Sequence, residues 1–354
     1  MKNYFAAALF MAASIAAAPA VPVYIAGREQ PAAAVSEESG EAAVKPSAPE
    51  APTENVTETA SAAAEFTDES YKVLDAATGE VMEVAVRDYV IGAVCAEMPA
   101  AFPEEALKAQ AVAAHTYAER QRRRERSSPT AELKGADFSN DTSKYQGYFT
   151  REQTEKFYGD KFQENYAKVT AAVDDVLPYI LTYKDEPAIA AFHSMSSGKT
   201  ESAENAWGTA VDYLVPVDSS CDISAPKYTD QKHFNRESLK YALETAFPGI
   251  VLGEDMAEWV KVLGTSDSGT VLKAQAGDRE VTGNELRSAL ALRSACFEVS
   301  YPEGEAVFTT RGYGHGVGMS QYGAESMAAD GSSWQDILKH YYPGCEITEQ
   351  KKSP

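Results

Sequence analysis

A single acid closes an almost uncharged run, Val90-Ile-Gly-Ala-Val-Cys-Ala-Glu97-Met-Pro. Taking a carboxyl out of water disfavours its ionised form and raises its pKa. Glu97 is therefore a candidate proton donor; the plainer reading is a carboxylate near a helix end paired with a base. A second stretch, Gly312-Tyr-Gly-His-Gly-Val-Gly-Met-Ser-Gln-Tyr-Gly323, alternates Gly312, Gly314, Gly316 and Gly318 with larger residues around His315. Glycine at that density specifies positive φ and close approach of another segment. That suits a binding or catalytic loop, against the alternative of a tight-turn histidine held by backbone. The third candidate is His193, followed by Ser194, Ser196, Ser197, Gly198 and Lys199 directly after an apolar stretch. It reads equally as a strand end lining a cleft or as a solvated turn.

Several familiar signatures come close and fail. Gly198-Lys199-Thr200 ends like a phosphate loop, but that motif's first glycine falls at His193. The 312–318 loop lacks the third glycine of a dinucleotide fingerprint, and Ser320 lacks the glycine two residues on that a nucleophile elbow requires. The basic run Arg120, Arg122, Arg123, Arg124, Arg126 can face an anionic wall polymer or lipid, although a helix C-terminus explains it without a partner. Trp207 and Trp334 are either sugar platforms or packing residues.

The elements that must position these groups follow from composition and period. The chain has 354 residues, 44% of them hydrophobic, with a net charge of −21. It can bury a substantial core, and its charge argues against nucleic acid. Tyr4 to Gly27 carry no charge and are long enough to cross a bilayer. A membrane anchor is the expectation, and Ala-Ala-Ala-Pro-Ala (16–20) keeps a cleaved signal peptide as its competitor. Residues 28–68, rich in Ala, Glu, Pro, Ser and Thr, read as a disordered acidic tether. Cys95, Cys221, Cys296 and Cys345 are too scattered for a zinc knuckle or a dense disulfide framework.

Beyond the tether, alternation predicts a hairpin over 71–86 around Gly79. Apolar spacing predicts helices over 88–97, 103–124, 155–176, 283–292, 321–329 and 333–341. Strand-like runs cover 179–183, 188–192, 259–263, 271–274, 297–301 and 306–310. The fold class is α+β, mixed helices with short antiparallel strands, and no βαβ alternation regular enough for a Rossmann fold.

Taken in series, the Val90–Pro99 motif, Glu105-Ala-Leu-Lys-Ala-Gln-Ala-Val-Ala-Ala-His115-Thr-Tyr-Ala, Phe192-His-Ser-Met-Ser-Ser-Gly-Lys-Thr-Glu-Ser-Ala-Glu204-Asn-Ala-Trp-Gly208 and the Gly312–Gly323 loop resemble the stage II sporulation protein D family over about 68–345. The resemblance implies a lytic transglycosylase that cuts peptidoglycan glycan strands stripped of their stem peptides during engulfment in spore formers. Glu97 becomes the catalytic acid. His115, Ser197, Lys199, Glu204, Tyr313, His315, Gln321 and Tyr322 are expected to bind substrate. Implied partners are denuded glycan strands, the membrane and the engulfment proteins stage II sporulation proteins P and M. The implied location is the mother-cell membrane, single-pass, with the catalytic region outside the cytoplasm facing the forespore septum.

A hydrolase usually needs two carboxylates flanking the glycosidic bond, whereas a lytic transglycosylase manages with one, because the muramyl 6-hydroxyl replaces water. Two departures stand out. His115 replaces the family's usual Arg, which makes charge at this position depend on pH. Ser139 and Tyr145 stand where some members carry zinc-binding cysteines, so neither a metal nor another cofactor is expected. The expected layout is an anchor over 1–27, the linker over 28–68 and a catalytic region over 69–348, with two lobes around a substrate cleft. Two rivals remain: a non-catalytic wall-binding or amidase-activating protein of the same superfamily, and a metal-dependent amidase using His193 and His315.

Overall fold

The computed structural model describes residues 70–142 and 144–350; the expected anchor and acidic linker lie outside them. Strands β1 (Ser70–Leu74) and β2 (Val81–Ala85) form the expected antiparallel hairpin. Asp75 closes its turn, accepting from Ala77 N–H at 3.1 Å and the Thr78 hydroxyl at 2.9 Å, as short acidic side chains do in turns. Helix α1 (Val86–Glu97) starts two residues ahead of Asp88. Helix α2 (Glu104–Ser127) has Pro103 before it and Glu104 and Glu105 in its first turn, where the helix dipole favours negative charge.

β3 (Phe138–Ser139) then adds to β1 in parallel. The single helix expected over 155–176 is two: α3 (Arg151–Tyr158) and α4 (Phe162–Val176). Gly159, at φ 53° and ψ −128°, breaks the helix. A capping box of Thr150 and Gln153 starts α3 earlier than hydrophobic period suggests. β4 (Tyr179–Tyr183) and β5 (Glu186–Pro187) form a hairpin, and β6 (Phe192–His193) is a short strand. The strand expected over 188–192 is regular only at its end, because the backbone before it serves other partners. Ala191 C=O accepts from Met319 N–H at 3.0 Å and from the Tyr342 hydroxyl at 2.7 Å.

The chain continues through α5 (Ala203–Trp207), β7 (Thr229–Phe234), α6 (Arg236–Ala246), β8 (Val260–Thr265), β9 (Val271–Ala276), β10 (Arg279–Val281), α7 (Gly283–Ala289), β11 (Phe297–Ser300) and β12 (Ala306–Arg311). It ends with β13 (Met319–Ser320), α8 (Gln321–Ala329), α9 (Trp334–Tyr341) and β14 (Glu346–Glu349). Sheets run β2-β1-β3, β14-β4-β5, β13-β6, β10-β9-β8 and β11-β12-β7. The architecture is α+β, as expected, with most pairings antiparallel. Among the described residues no helix is long and apolar enough to cross a membrane.

Two hydrophobic cores form. One gathers buried residues from Tyr71 to Leu214 and from Val317 to Tyr342; the other, built on Trp259, Leu286, Phe297 and Phe308, draws only on residues from Phe234 to Phe308. The β7–β12 stretch is thus inserted between the two halves of the first core. At the centre of that core lies α2, whose Ala106, Ala109, Ala111, Ala113, Ala114 and Ala118 are buried. Alanine loses no rotamer freedom on burial, and its small side chain lets α1, α4, β4, α8 and α9 all pack on one helix. Trp334 packs in this core against Tyr179, with ring centroids 5.4 Å apart.

His115 belongs to the same buried helix. Only 2% of its surface is exposed, and its ring nitrogens, which approach the backbone of Leu177 and Tyr179, make no hydrogen bond of good geometry. Its Nε2 lies 3.8 Å from Glu119, which also accepts from the Tyr71 hydroxyl at 2.7 Å and pairs with Arg122. Burial pushes the His115 pKa below its usual value, against the pull of Glu119. The ring is therefore neutral at neutral pH and offers no exposed face to a ligand.

A histidine neutral when folded loses stability as pH falls through about 6.5, where the unfolded chain takes up the proton first. His115→Leu is expected to raise Tm by about 2–4 °C at neutral pH, corresponding to about 1 kcal/mol. The gap should widen at lower pH. Calorimetric melts of both proteins between pH 5 and 8 check this, and parallel pH dependences would contradict it.

Candidate active site

The glycine loop is locked against the segment after β6. Gly312, Gly314, Gly316 and Gly318 all take positive φ. A Cβ on Gly314 would lie 2.7 Å from His193 Cβ, and one on Gly318 would lie 2.0 Å from Ala191 C=O. The expectation of close approach by another segment therefore holds, and that segment is 191–201. Met195 bridges Tyr313, Glu201 bridges Val317, and Ser294 bridges Gly314 from the second core's side.

This lacing brings His193, His315, Tyr313 and Trp207 together. The two imidazoles are 5.6 Å apart, and Trp207 lies 5.5 Å from His315. His193 Nδ1 meets Val317 C=O at 3.1 Å, so Nδ1 carries the hydrogen and the buried Nε2 is a bare acceptor without a partner. His315 Nδ1 accepts from Val317 N–H at 3.0 Å. Burial holds both rings neutral: His193 is pushed down to about 4, and His315 is held well below its usual value by burial and then by His193 and Arg287. Among the described residues no three side chains are grouped to hold a metal ion.

Other expected residues fall nearby in different roles. Ser197 is half-buried and its hydroxyl donates to Ser268 C=O, while Lys199 and Glu204 are exposed. A cavity of about 20 Å³ lies beneath them, lined by Ser197, Lys199, Glu201 and His315 among others. It has room for about one water, so a sugar must lie outside it. Gln321 Nε2 donates to Gln110 Oε1 on α2 at 3.4 Å, and Tyr322 packs edge-on against Phe102 with centroids 5.2 Å apart. The loop thus ends on the segment that follows Glu97.

Glu97 is half-buried at the last turn of α1. Burial raises its pKa, opposed only by Gly147 N–H, which donates to Oε1 at 2.7 Å. Among the described residues no cation or second carboxylate pairs with it. That leaves Oε2 free to carry a proton, and the paired-carboxylate alternative does not hold. Around it, Tyr117 OH accepts from Gln146 N–H at 3.3 Å, and Gln146 Nε2 donates to Tyr89 OH at 3.4 Å.

Sequence reasoning missed Gln146, Gly147 and Asp222. Asp222 is fully buried, and Ser196 N–H, Ser219 OH and Ser320 OH all donate to its carboxylate. These donors satisfy the charge and fix the loop's end to the His193 segment. Gly147 had a signal, a lone glycine between Tyr145-Gln146 and Tyr148. Ser139 donates its hydroxyl to Leu74 C=O at 2.9 Å, securing β3.

A Cβ at residue 147 would sit 2.6 Å from Glu97 Oε1. Gly147→Ala is therefore expected to displace the carboxyl, break the one bond that lowers its pKa and leave that pKa higher than in the wild type. A carbon-13 NMR titration of the Glu97 carboxyl reads this directly; an unchanged midpoint would show that the contact does not control the acid.

A family model described as Stage II sporulation protein, SpoIID, matches residues 75–183, the stretch holding Glu97, α2 and Gly147. Over 270 residues the chain is 39% identical to stage II sporulation protein D of Bacillus amyloliquefaciens, covering 76% of each sequence. It is 38% identical over 280 residues to stage II sporulation protein D of Bacillus subtilis (strain 168), covering 79% of each. It is also 28% identical over 305 residues to the amidase enhancer of Bacillus subtilis (strain 168), covering 73% of this chain and 40% of that one. With such identity across three quarters of both sequences, the chain belongs to the stage II sporulation protein D family.

Proposed function

We propose that this protein is a lytic transglycosylase acting on peptidoglycan glycan strands whose stem peptides have been removed, outside the cytoplasmic membrane during engulfment. The observation that carries the reading is the solitary, desolvated carboxyl of Glu97. Protonated Glu97 gives its proton to the glycosidic oxygen as the bond to muramyl C1 breaks. The muramyl 6-hydroxyl then attacks C1, and ionised Glu97 takes that hydroxyl's proton, leaving a 1,6-anhydro ring. One group serves both steps, and a raised pKa suits each. The strand would lie in a cleft between Glu97 and the 312–323 loop, with Tyr322 packed on Phe102 at its floor. An N-terminal anchor and acidic tether would display the region towards the septum, beside stage II sporulation proteins P and M.

The similarity to an amidase enhancer favours a second reading, a non-catalytic protein that activates a wall amidase. Glu97→Gln separates the two. The amide keeps the shape but has no proton to give, so production of anhydromuramyl ends from denuded glycan should fall by roughly 10²–10⁴-fold with the fold intact. Wild-type cleavage by the variant, or no cleavage by either protein alongside stimulation of an amidase, would favour the activator.

A further inference from the structure

The segment 146–149 lies directly on the backbone of α1. A Cβ on Gly92 would sit 2.2 Å from Phe149 C=O and 2.6 Å from the Tyr148 ring, and Phe149 N–H donates to Gly92 C=O at 3.1 Å. Tyr148 stacks on Tyr89, with ring centroids 5.1 Å apart and planes 21° from parallel. Gln146 holds the other end of the segment. Its N–H donates to the Tyr117 hydroxyl of α2 at 3.3 Å, and its Nε2 donates to the Tyr89 hydroxyl of α1 at 3.4 Å. Between these anchors lies Gly147, whose N–H reaches Glu97 Oε1 at 2.7 Å. A glycine by itself leaves its backbone free to turn; here the peptide plane that carries the N–H is fixed by the residue before it.

Gln146 is 8% exposed, and its Oε1 has no hydrogen-bond partner. An orphaned acceptor costs stability that an apolar side chain of the same shape avoids. Packing alone therefore does not account for an amide at this position.

We propose that Gln146 is a positioning residue for the acid: by tying the 146–147 peptide to both helices it keeps the Gly147 N–H on Oε1, so that Oε2 holds and delivers the proton. This rests on the reading of Glu97 as the proton donor above. Loosening the peptide weakens a donor that favours the ionised carboxyl, so the Glu97 pKa rises. The titratable side chains around the segment are phenols, Tyr89 on α1, Tyr117 on α2, and Tyr145 and Tyr148 beside Gln146 and Gly147. Burial raises all four above the usual phenol value, so they are uncharged at neutral pH. Of the charged groups, Arg124 acts on Tyr117 and Tyr145 and Asp88 on Tyr148, and neither on Glu97. A change at Glu97 therefore reads the hydrogen bond.

The test compares the wild type with Gln146→Met, Tyr89→Phe and the double variant, with thermal melts to confirm that each folds. In a carbon-13 titration of the Glu97 carboxyl each single variant should titrate about one pH unit higher, the scale of a weakened hydrogen bond to a charged group. The double variant should move no further than the larger single, because both act on one anchor. On denuded glycan the alkaline limb of kcat/KM, which follows loss of the acid's proton, should rise by the same amount. A less fixed carboxyl should also lower kcat by roughly 10–100-fold with KM unchanged. An unmoved carboxyl midpoint in either folded single variant, or shifts that add in the double, overturns the proposal. Midpoints that move as expected in proteins that cleave no glycan sustain the positioning role and sink the transglycosylase reading alone.

Discussion

The organisation of this protein depends on one backbone contact, the glycine loop pressed against the chain that follows β6. With no Cβ at 314 or 318, backbone approaches to distances that any side chain would forbid. Once the contact forms, Val317 directs one histidine through its carbonyl and the other through its N–H. The same loop bridges to Ser294 in the inserted unit and runs into α8 on the first core. The loop and the 197–206 segment beneath it therefore tie two hydrophobic cores that share no buried side chains.

The second constraint is electrostatic. The chain is strongly acidic, yet its candidate acid is isolated from other charge. Burial pushes that carboxyl towards its neutral form, opposed only by the Gly147 N–H. Structural ionic groups here behave differently. Glu119 collects Tyr71 and Arg122, and Asp222 collects three donors. Buried charge that serves packing in this fold is satisfied by its neighbours.

His115 illustrates how a substitution in a motif acquires meaning only from its surroundings. On the chain it reads as a weaker replacement for a charged arginine near the substrate. In the fold it lies inside the alanine-lined centre of α2, neutral, with no well-formed hydrogen bond to either nitrogen. Its effect is on stability and its pH dependence. Trp334, open in the sequence between platform and packing, is a core residue for the same reason: α9 turns its apolar face towards α2 and β4.

Local chemistry determined much of this protein in advance. Apolar period marked α1, α2, α8 and α9, alternation marked the opening hairpin, and glycine density marked the loop. Glu97 stood out because desolvation is visible wherever a carboxyl follows a long uncharged run. Short elements α5, β7 and β10 were not legible, because a few residues carry too little periodicity, and α6, though longer, was missed as well. The break between α3 and α4 turned on one glycine's φ. Only the tertiary structure could decide that Gly147 meets Glu97 across 50 residues, that Asp222 anchors the loop, and that Ser294 of the inserted unit bridges to Gly314. These are meetings of segments distant in sequence, and which groups share a low-dielectric space is a property of how the cores close, not of residue order.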